Sequence, residues 1–250
     1  SCFDKIKLFF CQARLDAKRF EALGVPSSKI LVTGNIKFDS ALQSYHKALS
    51  RSSSHYYRPW AEKHPLLWLA GSTQEEENIP CLKIFLQLKT ILSSLRFILV
   101  PRKPDSLKGA LEFLQGKKVP YTLRSSLNPG DKIEDLFIID TIGELFDLYQ
   151  FASVVFIGKT FSENGGGQNP LEAAVWGKAV IMGPAYENFR TIIDEMRECQ
   201  AIQIVPDWAQ LKEKIQDLLT HPEIQKTMGE KARQYVENNA RASEIIMEKI

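Results

Sequence analysis

The sequence predicts a doubly wound α/β fold, in which helices cover both faces of a parallel sheet. Short and nearly continuous apolar runs alternate along the chain with segments whose apolar residues recur at helical spacing. Strands that are buried on both faces show such continuous runs, and they belong to parallel sheets covered by helices. With 250 residues, 44% hydrophobic and 25% charged, the chain suffices for one large domain or for a domain with part of another.

The chain opens on a strand-helix-strand unit. Residues 5–10 read as a strand, residues 12–23 as a helix, and residues 30–33 as a second strand. The first residue, Ser1, lies at the start of this unit and is not a methionine. We therefore expect the chain to be a piece of a longer protein.

A polar stretch with few apolar residues follows between Ser44 and Pro65. This composition is typical of a linker or of an exposed helix between domains. We therefore predict three parts: the end of an N-terminal domain with the interdomain segment (1–40), a linker (41–65), and a C-terminal domain that includes a terminal helix (66–250).

The C-terminal domain is predicted to contain most of the sheet. Apolar runs that read as strands occupy residues 66–70, 96–100, 119–123, 136–140, 153–157, 179–182 and 201–205. The stretches between these runs carry apolar residues on one helical face, and a last helix is predicted from about residue 222 onward.

Charge and cysteine content exclude several classes of protein. Lys and Arg number 32 against 30 Asp and Glu, and this net charge of +2 comes without a concentrated basic face, so we expect no nucleic-acid partner. The four cysteines have neither CxxC spacing nor a histidine close by, so we expect neither disulfides nor a metal site. No apolar run in these residues reaches the roughly 18 residues of a membrane span, and the first residues do not show a basic segment followed by an apolar one.

Ligands of such sheets bind outside the carboxyl ends of the strands, so the loops there carry the candidate site. Ser72 and Thr73 lead from a strand into a helix, where they either expose an anion site or form an ordinary N-cap; the sequence favours neither. Pro101 and Pro104 stiffen the loop that presents Arg102. A loop cation is usually only solvated, but a fixed one suits a phosphate or a carboxylate.

Two further loops lie at the same edge. In the first, Thr141 is a plausible N-cap and Gly143 allows close approach to backbone N–H groups. In the second, three successive glycines at 165–167 remove every Cβ, and Pro170 fixes the start of a helix. We interpret this glycine-rich loop as one that lies against a ligand. It fits neither GxGxxG nor GxxxxGK[ST], which argues against the usual dehydrogenase and ATPase sites.

Glu172 follows in the first turn of that helix. The helix dipole favours a carboxylate there even without a ligand. Alternatively, the carboxylate accepts hydrogen bonds from the vicinal hydroxyls of a ribose, as acidic residues do in nucleotide sites. The three glycines favour the second interpretation, because a bare helix start does not need that backbone freedom.

As a set, these motifs resemble those of the 3-deoxy-D-manno-octulosonic acid (Kdo) transferases. The matching segments, in the family's order, are 32–39, 71–73, 100–102, 141–145, 165–172, 182–184 and 188–189. The resemblance implies a two-domain GT-B glycosyltransferase that transfers Kdo from CMP-Kdo to a lipid A precursor in lipopolysaccharide biosynthesis. It also implies that this chain is the CMP-sugar-binding domain with the tail of the N-terminal acceptor domain, and that no cofactor or metal is used. The intact enzyme would work on the membrane surface, at the cytoplasmic face of the inner membrane.

The resemblance assigns roles residue by residue. The implied donor-binding residues are Pro101, Arg102, Ile142, Gly143, Glu144, Asn169, Pro170, Leu171 and Glu172, with Ser72, Thr73, Gly165, Gly166 and Gly167 as further candidates. Lys37 resembles the family's transition-state stabiliser, which would offset charge on the departing CMP phosphate; otherwise it is a solvated linker lysine. The family's general base is a glutamate of the N-terminal domain, and no residue of this chain takes that role.

The chain departs from the family's pattern at two places. It has an extra glycine and Gln168 where the family commonly has Gly-Gly-His, and Lys103 where histidine is frequent. Two other functions remain open at this point. One is a transferase or epimerase that uses a UDP-sugar, and the other is a non-catalytic nucleotide-binding module.

Overall fold

The computed structural model describes residues 3, 5–50, 57–63 and 66–250. The chain forms two compact units, Ser1–Arg51 with Gln234–Ile250 and Ser52–Arg233. Of the predicted linker, residues 51–56 and 64–65 lie outside the described residues.

The first unit contains the predicted strand-helix-strand. Its elements are β1 (Phe9–Cys11), α1 (Arg14–Ala22), β2 (Ile30–Val32) and α2 (Ile36–Ser50). The two strands pair in parallel, with Phe9 opposite Ile30. The strand predicted over 5–10 begins only at Phe9, and residues 5–8 before it are exposed.

Helix α2 runs through the first part of the segment that was predicted to be a linker. Its residues Phe38, Ala41 and Tyr45 are buried at helical spacing. Burial of this apolar face explains why the polar segment is helical as far as Ser50, since burial of one face stabilises a helix more than propensity does.

The elements of the second unit alternate between strand and helix. In chain order they are α3 (Arg58–Glu62), β3 (Leu67–Thr73), α4 (Glu75–Ile91), β4 (Arg96–Pro101), α5 (Lys108–Gly116), β5 (Thr122–Leu123), β6 (Leu136–Ile138), α6 (Leu145–Leu148), β7 (Val154–Ile157), α7 (Leu171–Val175), β8 (Ala179–Met182), α8 (Arg190–Glu198), β9 (Ile202–Ile204), α9 (Trp208–Thr220) and α10 (Pro222–Asn239). A last helix, α11 (Ala242–Met247), belongs to the first unit.

The second unit is built on a parallel sheet of seven strands in the order β5-β6-β4-β3-β7-β8-β9. Trp68 of β3 stacks on Phe97 of β4 with ring centroids 4.1 Å apart, and Phe85 of α4 stacks on Phe97 in turn. Tyr57 and Trp60 pack on Phe137 of β6. Because β3 pairs with β4 on one side and β7 on the other, the strand order reverses at this central strand, where such folds bind ligands.

The contacts group the end of the chain differently from the predicted C-terminal domain of 66–250. Residues from Gln234 onward belong with the first unit, and helix α10 contains the point of division. Phe38 meets Tyr235 edge to face at 5.4 Å. The domain limits 1–40, 41–65 and 66–250 therefore remain a prediction made from the sequence composition.

Asp39 fixes the start of α11 within the first unit. Its carboxylate accepts hydrogen bonds from the backbone N–H groups of Ala242 at 3.2 Å and Ser243 at 3.0 Å. Arg241, which stands at the N-cap position, makes no side-chain cap. A residue of α2 thus satisfies the free N–H groups at the start of another helix.

Across the described ranges, no helix combines the length and the apolar character that a bilayer crossing requires.

Candidate functional site

The predicted loops do meet at the carboxyl edge of the second unit's sheet. Strands β3 and β4 end at Thr73 and Pro101, and the N–H of Arg102 donates to the Thr73 carbonyl at 2.8 Å. The glycine-rich loop, which we define as residues 158–170, follows β7, the other neighbour of β3. Its residue Thr160 accepts a hydrogen bond from the N–H of Ala185, in the turn after β8. This edge therefore brings four strand ends together.

The centre of the site is the pair of Asn169 and Glu172, and the charge of Arg102 acts on Glu172. The amide of Asn169 donates to a carboxylate oxygen of Glu172 at 3.4 Å, and its own oxygen accepts from the N–H of Leu171 at 3.1 Å. Burial raises the pKa of Glu172, while the Asn169 hydrogen bond and the charge of Arg102 act in the opposite direction. A partly buried carboxylate with so few donors from the protein can accept hydrogen bonds from a ligand.

The start of α7 holds Glu172 in place. Pro170, predicted to fix the start of this helix, stands at its N-cap position, and both it and Leu171 are buried. Glu172 lies in the first turn, where the helix dipole favours its charge.

The three glycines are explained mainly by packing inside the protein. A Cβ on Gly165 would lie 2.6 Å from the Cβ of Ala185, and one on Gly166 would lie 2.6 Å from the side-chain nitrogen of Asn188. Gly166 and Gly167 have φ values of 95° and 75°, which favour glycine. The interpretation that the glycines exist for a ligand is therefore weakened, because the neighbouring turn already requires them.

Ser72 and Thr73 do not form an N-cap, which was one of the two interpretations that the sequence left open. Both belong to strand β3, which bulges at Ser72 (φ 56°), and α4 is instead capped by Gln74 through a capping box. The buried hydroxyl of Thr73 donates to the side-chain oxygen of Asn78 at 2.7 Å. Thr73 is thus engaged by the protein, because the strand continues further than the small residues 71–73 indicated.

Thr141 does not cap α6 either. The helix begins at Leu145 with Glu144 at the N-cap position, and the Thr141 hydroxyl donates to a Glu144 carboxylate oxygen at 2.5 Å. Arg124 donates to the other oxygen at 2.8 Å. Burial alone would raise the pKa of Glu144, but these hydrogen bonds, the Arg124 charge and a hydrogen bond from Tyr57 leave it below its ordinary value. Glu144 is therefore held as a carboxylate by protein groups.

Ile142 and Gly143 lie beside this ion pair and are exposed. Ile142 is 86% exposed, and Gly143 has a φ of 96°. An apolar side chain held on an otherwise polar edge offers a surface on which a flat ring can pack.

The sequence did not identify two further residues beside this site, Glu77 and Tyr149. The carboxylate of Glu77 in α4 is fully buried and accepts hydrogen bonds from backbone N–H groups of the glycine-rich loop. Tyr149 is buried, and a Cβ on Gly71 would lie 2.9 Å from its hydroxyl. Burial and the charge of Glu172 raise the pKa of Tyr149. Only the acidic run 75–77 signalled Glu77, and it also reads as an ordinary helix start.

Lys37 lies in the first unit, at the exposed start of α2. Its backbone N–H donates to the side chain of Asn35 at 3.1 Å. Asn35 thereby satisfies one of the free N–H groups of the helix start.

Comparison with known proteins identifies the relatives of this chain. A family profile described as 3-deoxy-D-manno-octulosonic-acid transferase matches residues 1–40, and one described as glycosyl transferases group 1 matches residues 116–235. The 3-deoxy-D-manno-octulosonic acid transferase of Haemophilus influenzae is 28% identical over 228 residues, which are 91% of this chain and 52% of that protein. The enzyme of the same name from Chlamydophila psittaci is 30% identical over 226 residues, 88% of this chain and 49% of that protein.

The chain is a relative of the Kdo transferases. It spans about half the length of the curated relatives it matches. The resemblance found in the motifs therefore holds over nearly the whole chain.

Solved structures confirm the predicted GT-B type of α/β fold. The C-terminal CMP-Kdo binding domain of WaaA from Acinetobacter baumannii superposes with a TM-score of 0.67 at 24% identity, covering 79% of this chain and 98% of that one. The UDP-GlcNAc 2-epimerase from Neisseria meningitidis, bound to UDP-GlcNAc, reaches the same TM-score at 17% identity, covering 97% of this chain and 60% of the epimerase. At these identities the likeness concerns the fold.

Proposed function

We propose that this chain is the donor-binding part of a glycosyltransferase that transfers Kdo from CMP-Kdo to a lipid A precursor. The observation that carries the proposal is the Glu172 carboxylate, which lies at the carboxyl edge of the sheet with Arg102 near it and few protein donors on it. The relationship to Kdo transferases and the fold shared with a CMP-Kdo binding domain support CMP-Kdo as the donor.

In this proposal each part of the edge binds one part of the nucleotide. Glu172 accepts hydrogen bonds from the two ribose hydroxyls, which replace the water that burial has removed. Arg102 attracts the phosphate, since a guanidinium matches phosphate oxygens in shape and charge. The exposed Ile142, with Gly143 beside it, packs against the base.

The chemistry proposed for the whole enzyme is inversion at the anomeric carbon of Kdo. As a general base takes the proton of the acceptor hydroxyl, the acceptor oxygen bonds to the anomeric carbon and the bond from that carbon to the phosphate oxygen breaks, so that CMP departs. The family resemblance implies that this base is a glutamate of the N-terminal domain. Lys37 would stabilise the charge that grows on the departing phosphate. No cofactor or metal takes part in this scheme. Because the proposed acceptor is a lipid A precursor, the proposed site of the reaction is the cytoplasmic face of the inner membrane.

Calorimetric titration of the chain with CMP and with UMP tests the donor assignment. We expect CMP to bind more tightly than UMP. Equal affinity, or no measurable binding of either, would contradict the proposal, and tighter binding of UMP would point to a UDP-sugar enzyme. Transfer of Kdo to a lipid A precursor by the complete gene product would exclude a non-catalytic nucleotide-binding module.

A further inference from the structure

We propose that Glu77 is a positioning residue of the donor site, acting as a built-in anion that gives the glycine-rich loop its shape. Glu77 would act on the nucleotide only through that loop. The effect of Glu77 on nucleotide binding rests on the proposed function, whereas its effect on the shape of the loop rests on the hydrogen bonds between the two.

The carboxylate of Glu77 receives four backbone hydrogen bonds. One oxygen accepts from the N–H of Lys159 at 2.6 Å and of Gln74 at 2.9 Å. The other accepts from the N–H groups of Thr160 and Phe161, each at 2.9 Å. The side chain is fully buried. A buried carboxylate is costly unless it is paired or hydrogen-bonded, and here both oxygens are occupied by N–H donors.

A capping box explains only one of these four bonds. In that motif the N3 carboxylate reaches back to the N-cap N–H, which is the bond to Gln74. The other three come from consecutive residues of a loop that is more than eighty residues further along the chain. Consecutive N–H groups that converge on one point form an anion-binding nest, and the left-handed backbone of Lys159 (φ 61°) is what such a turn requires.

The nest is tightly built around the carboxylate. A Cβ on Gly158 would lie 2.8 Å from a Glu77 oxygen and 2.5 Å from the Cα of Thr73. The loop therefore approaches α4 and β3 as closely as a glycine allows. Without the carboxylate, three N–H groups would point at one another with nothing to accept them.

Hydrogen bonds connect the residues that bind Glu77 to the proposed donor contacts. The Lys159 carbonyl accepts from the N–H of Gly167 at 2.9 Å, two residues before Asn169. The Thr160 hydroxyl accepts from the N–H of Gly183 at 2.9 Å, in the turn after β8. Displacement of residues 159–161 would thus move both the glycine-rich loop and the neighbouring turn.

Amide hydrogen exchange of the glycine-rich loop tests this role directly. In Glu77→Gln one side of the nest meets an NH2 group, so we expect the N–H groups of Lys159, Thr160 and Phe161 to exchange at least tenfold faster, while strands β3 and β4 keep their wild-type rates. CMP affinity should fall about tenfold. Glu76→Gln is the matched control, because Glu76 carries the same charge in the same helical turn but is exposed. It should change neither quantity by more than about twofold.

Chemical rescue separates an anion in a nest from ordinary packing. In Glu77→Ala, added formate should slow the exchange of the three loop amides and restore CMP affinity, whereas chloride at equal ionic strength should not. If Glu77→Gln does not fold, Glu77→Asp replaces it, since it keeps the charge and shortens the reach. Wild-type exchange and wild-type CMP affinity in a folded variant would overturn the role of Glu77. If the wild-type chain binds no CMP, the donor assignment fails, and the exchange rates alone decide whether Glu77 shapes the loop.

Discussion

Burial raises the pKa of Glu172, although the Asn169 amide and the Arg102 charge oppose the rise. An acid whose pKa is higher in the folded than in the unfolded chain gives stability that is present below its unfolded pKa and is lost as the pH rises through its folded pKa. At pH 7 the charged side chain therefore lowers the stability of the empty site. The same residue is the proposed ribose acceptor, so a neutral side chain favours stability whereas the charged carboxylate favours donor binding.

For Glu172→Gln we expect a higher melting temperature without ligand at pH 7, because the amide needs no buried charge and can still accept from Asn169. The difference from wild type should shrink as the pH falls through the carboxyl pKa. CMP binding should weaken by about 1 to 3 kcal/mol, since a charged acceptor is lost. Differential scanning calorimetry over a pH series and CMP titration measure both. Glu163→Gln, an exposed residue of the same loop, is the control; unchanged CMP affinity in Glu172→Gln would favour the helix-dipole explanation.

At the scale of residues, the sequence predicted Arg102, Asn169 and Glu172 as site residues; in the structure Asn169 hydrogen-bonds Glu172, and the charge of Arg102 acts on the same carboxylate. It could not identify the residues that act through distant partners. In the sequence, Glu77 is an acidic residue at a helix start like Glu75 and Glu76. Only the structure shows that the backbone N–H groups of residues 159–161 bind its carboxylate. Glu144 matched a family motif, but its ion pair with Arg124 could not be read from a separation of twenty residues.

At the scale of elements, close approach of the glycine-rich loop to β3 leads to a test of packing. Gly158→Ala would place its Cβ 2.5 Å from the Cα of Thr73, and backbone cannot move aside as a side chain can. We expect a loss of about 1 to 3 kcal/mol in the free energy of unfolding, measured by urea denaturation. Gly109→Ala in α5 is the matched control: nothing lies within 4 Å of its added Cβ, so it should be neutral or stabilising by up to about 1 kcal/mol. Equal effects of the two substitutions would contradict this account.

The cap that Asp39 provides makes a second prediction about elements. Asp39→Ala removes the acceptor for the N–H groups of Ala242 and Ser243. We expect these two amides to exchange faster with solvent, and the first unit to lose about 1 kcal/mol of stability. Ser40→Ala, at an exposed neighbouring position, should leave both unchanged. If the two amides stay protected in Asp39→Ala, the start of α11 is held by other contacts.

The elements themselves were largely predictable, because the strands of this fold are short apolar runs between helices. Every strand predicted in the second unit overlaps a strand of the structure. One local signal was outweighed by packing: small residues at 71–73 indicated a turn, yet they lie in β3 beside β4. The polar stretch that begins at Ser44 is typical of either a linker or an exposed helix, and its first part is helical, with the face of Ala41 and Tyr45 buried.

At the scale of the whole molecule, the charge balance leads to a prediction about partners. Proteins that bind nucleic acid release counterions through many Lys and Arg contacts, and their affinity depends on a net basic surface. With 32 basic against 30 acidic residues, this chain should not retard single-stranded DNA or RNA oligonucleotides in a mobility-shift assay at physiological salt. A salt-sensitive shift at micromolar concentrations would show that basic residues cluster more than their number indicates.

The position of β3 at the centre of the sheet also has a consequence for synthesis. This strand pairs with β4, which follows it closely, and with β7 (Val154–Ile157), which is made much later. Until β7 is available, one edge of β3 presents unpaired backbone groups flanked by apolar side chains, and such an edge is a template for pairing with another chain. We therefore expect a nascent chain that has passed residue 101 but not yet residue 157 to aggregate more readily than one that already contains β7.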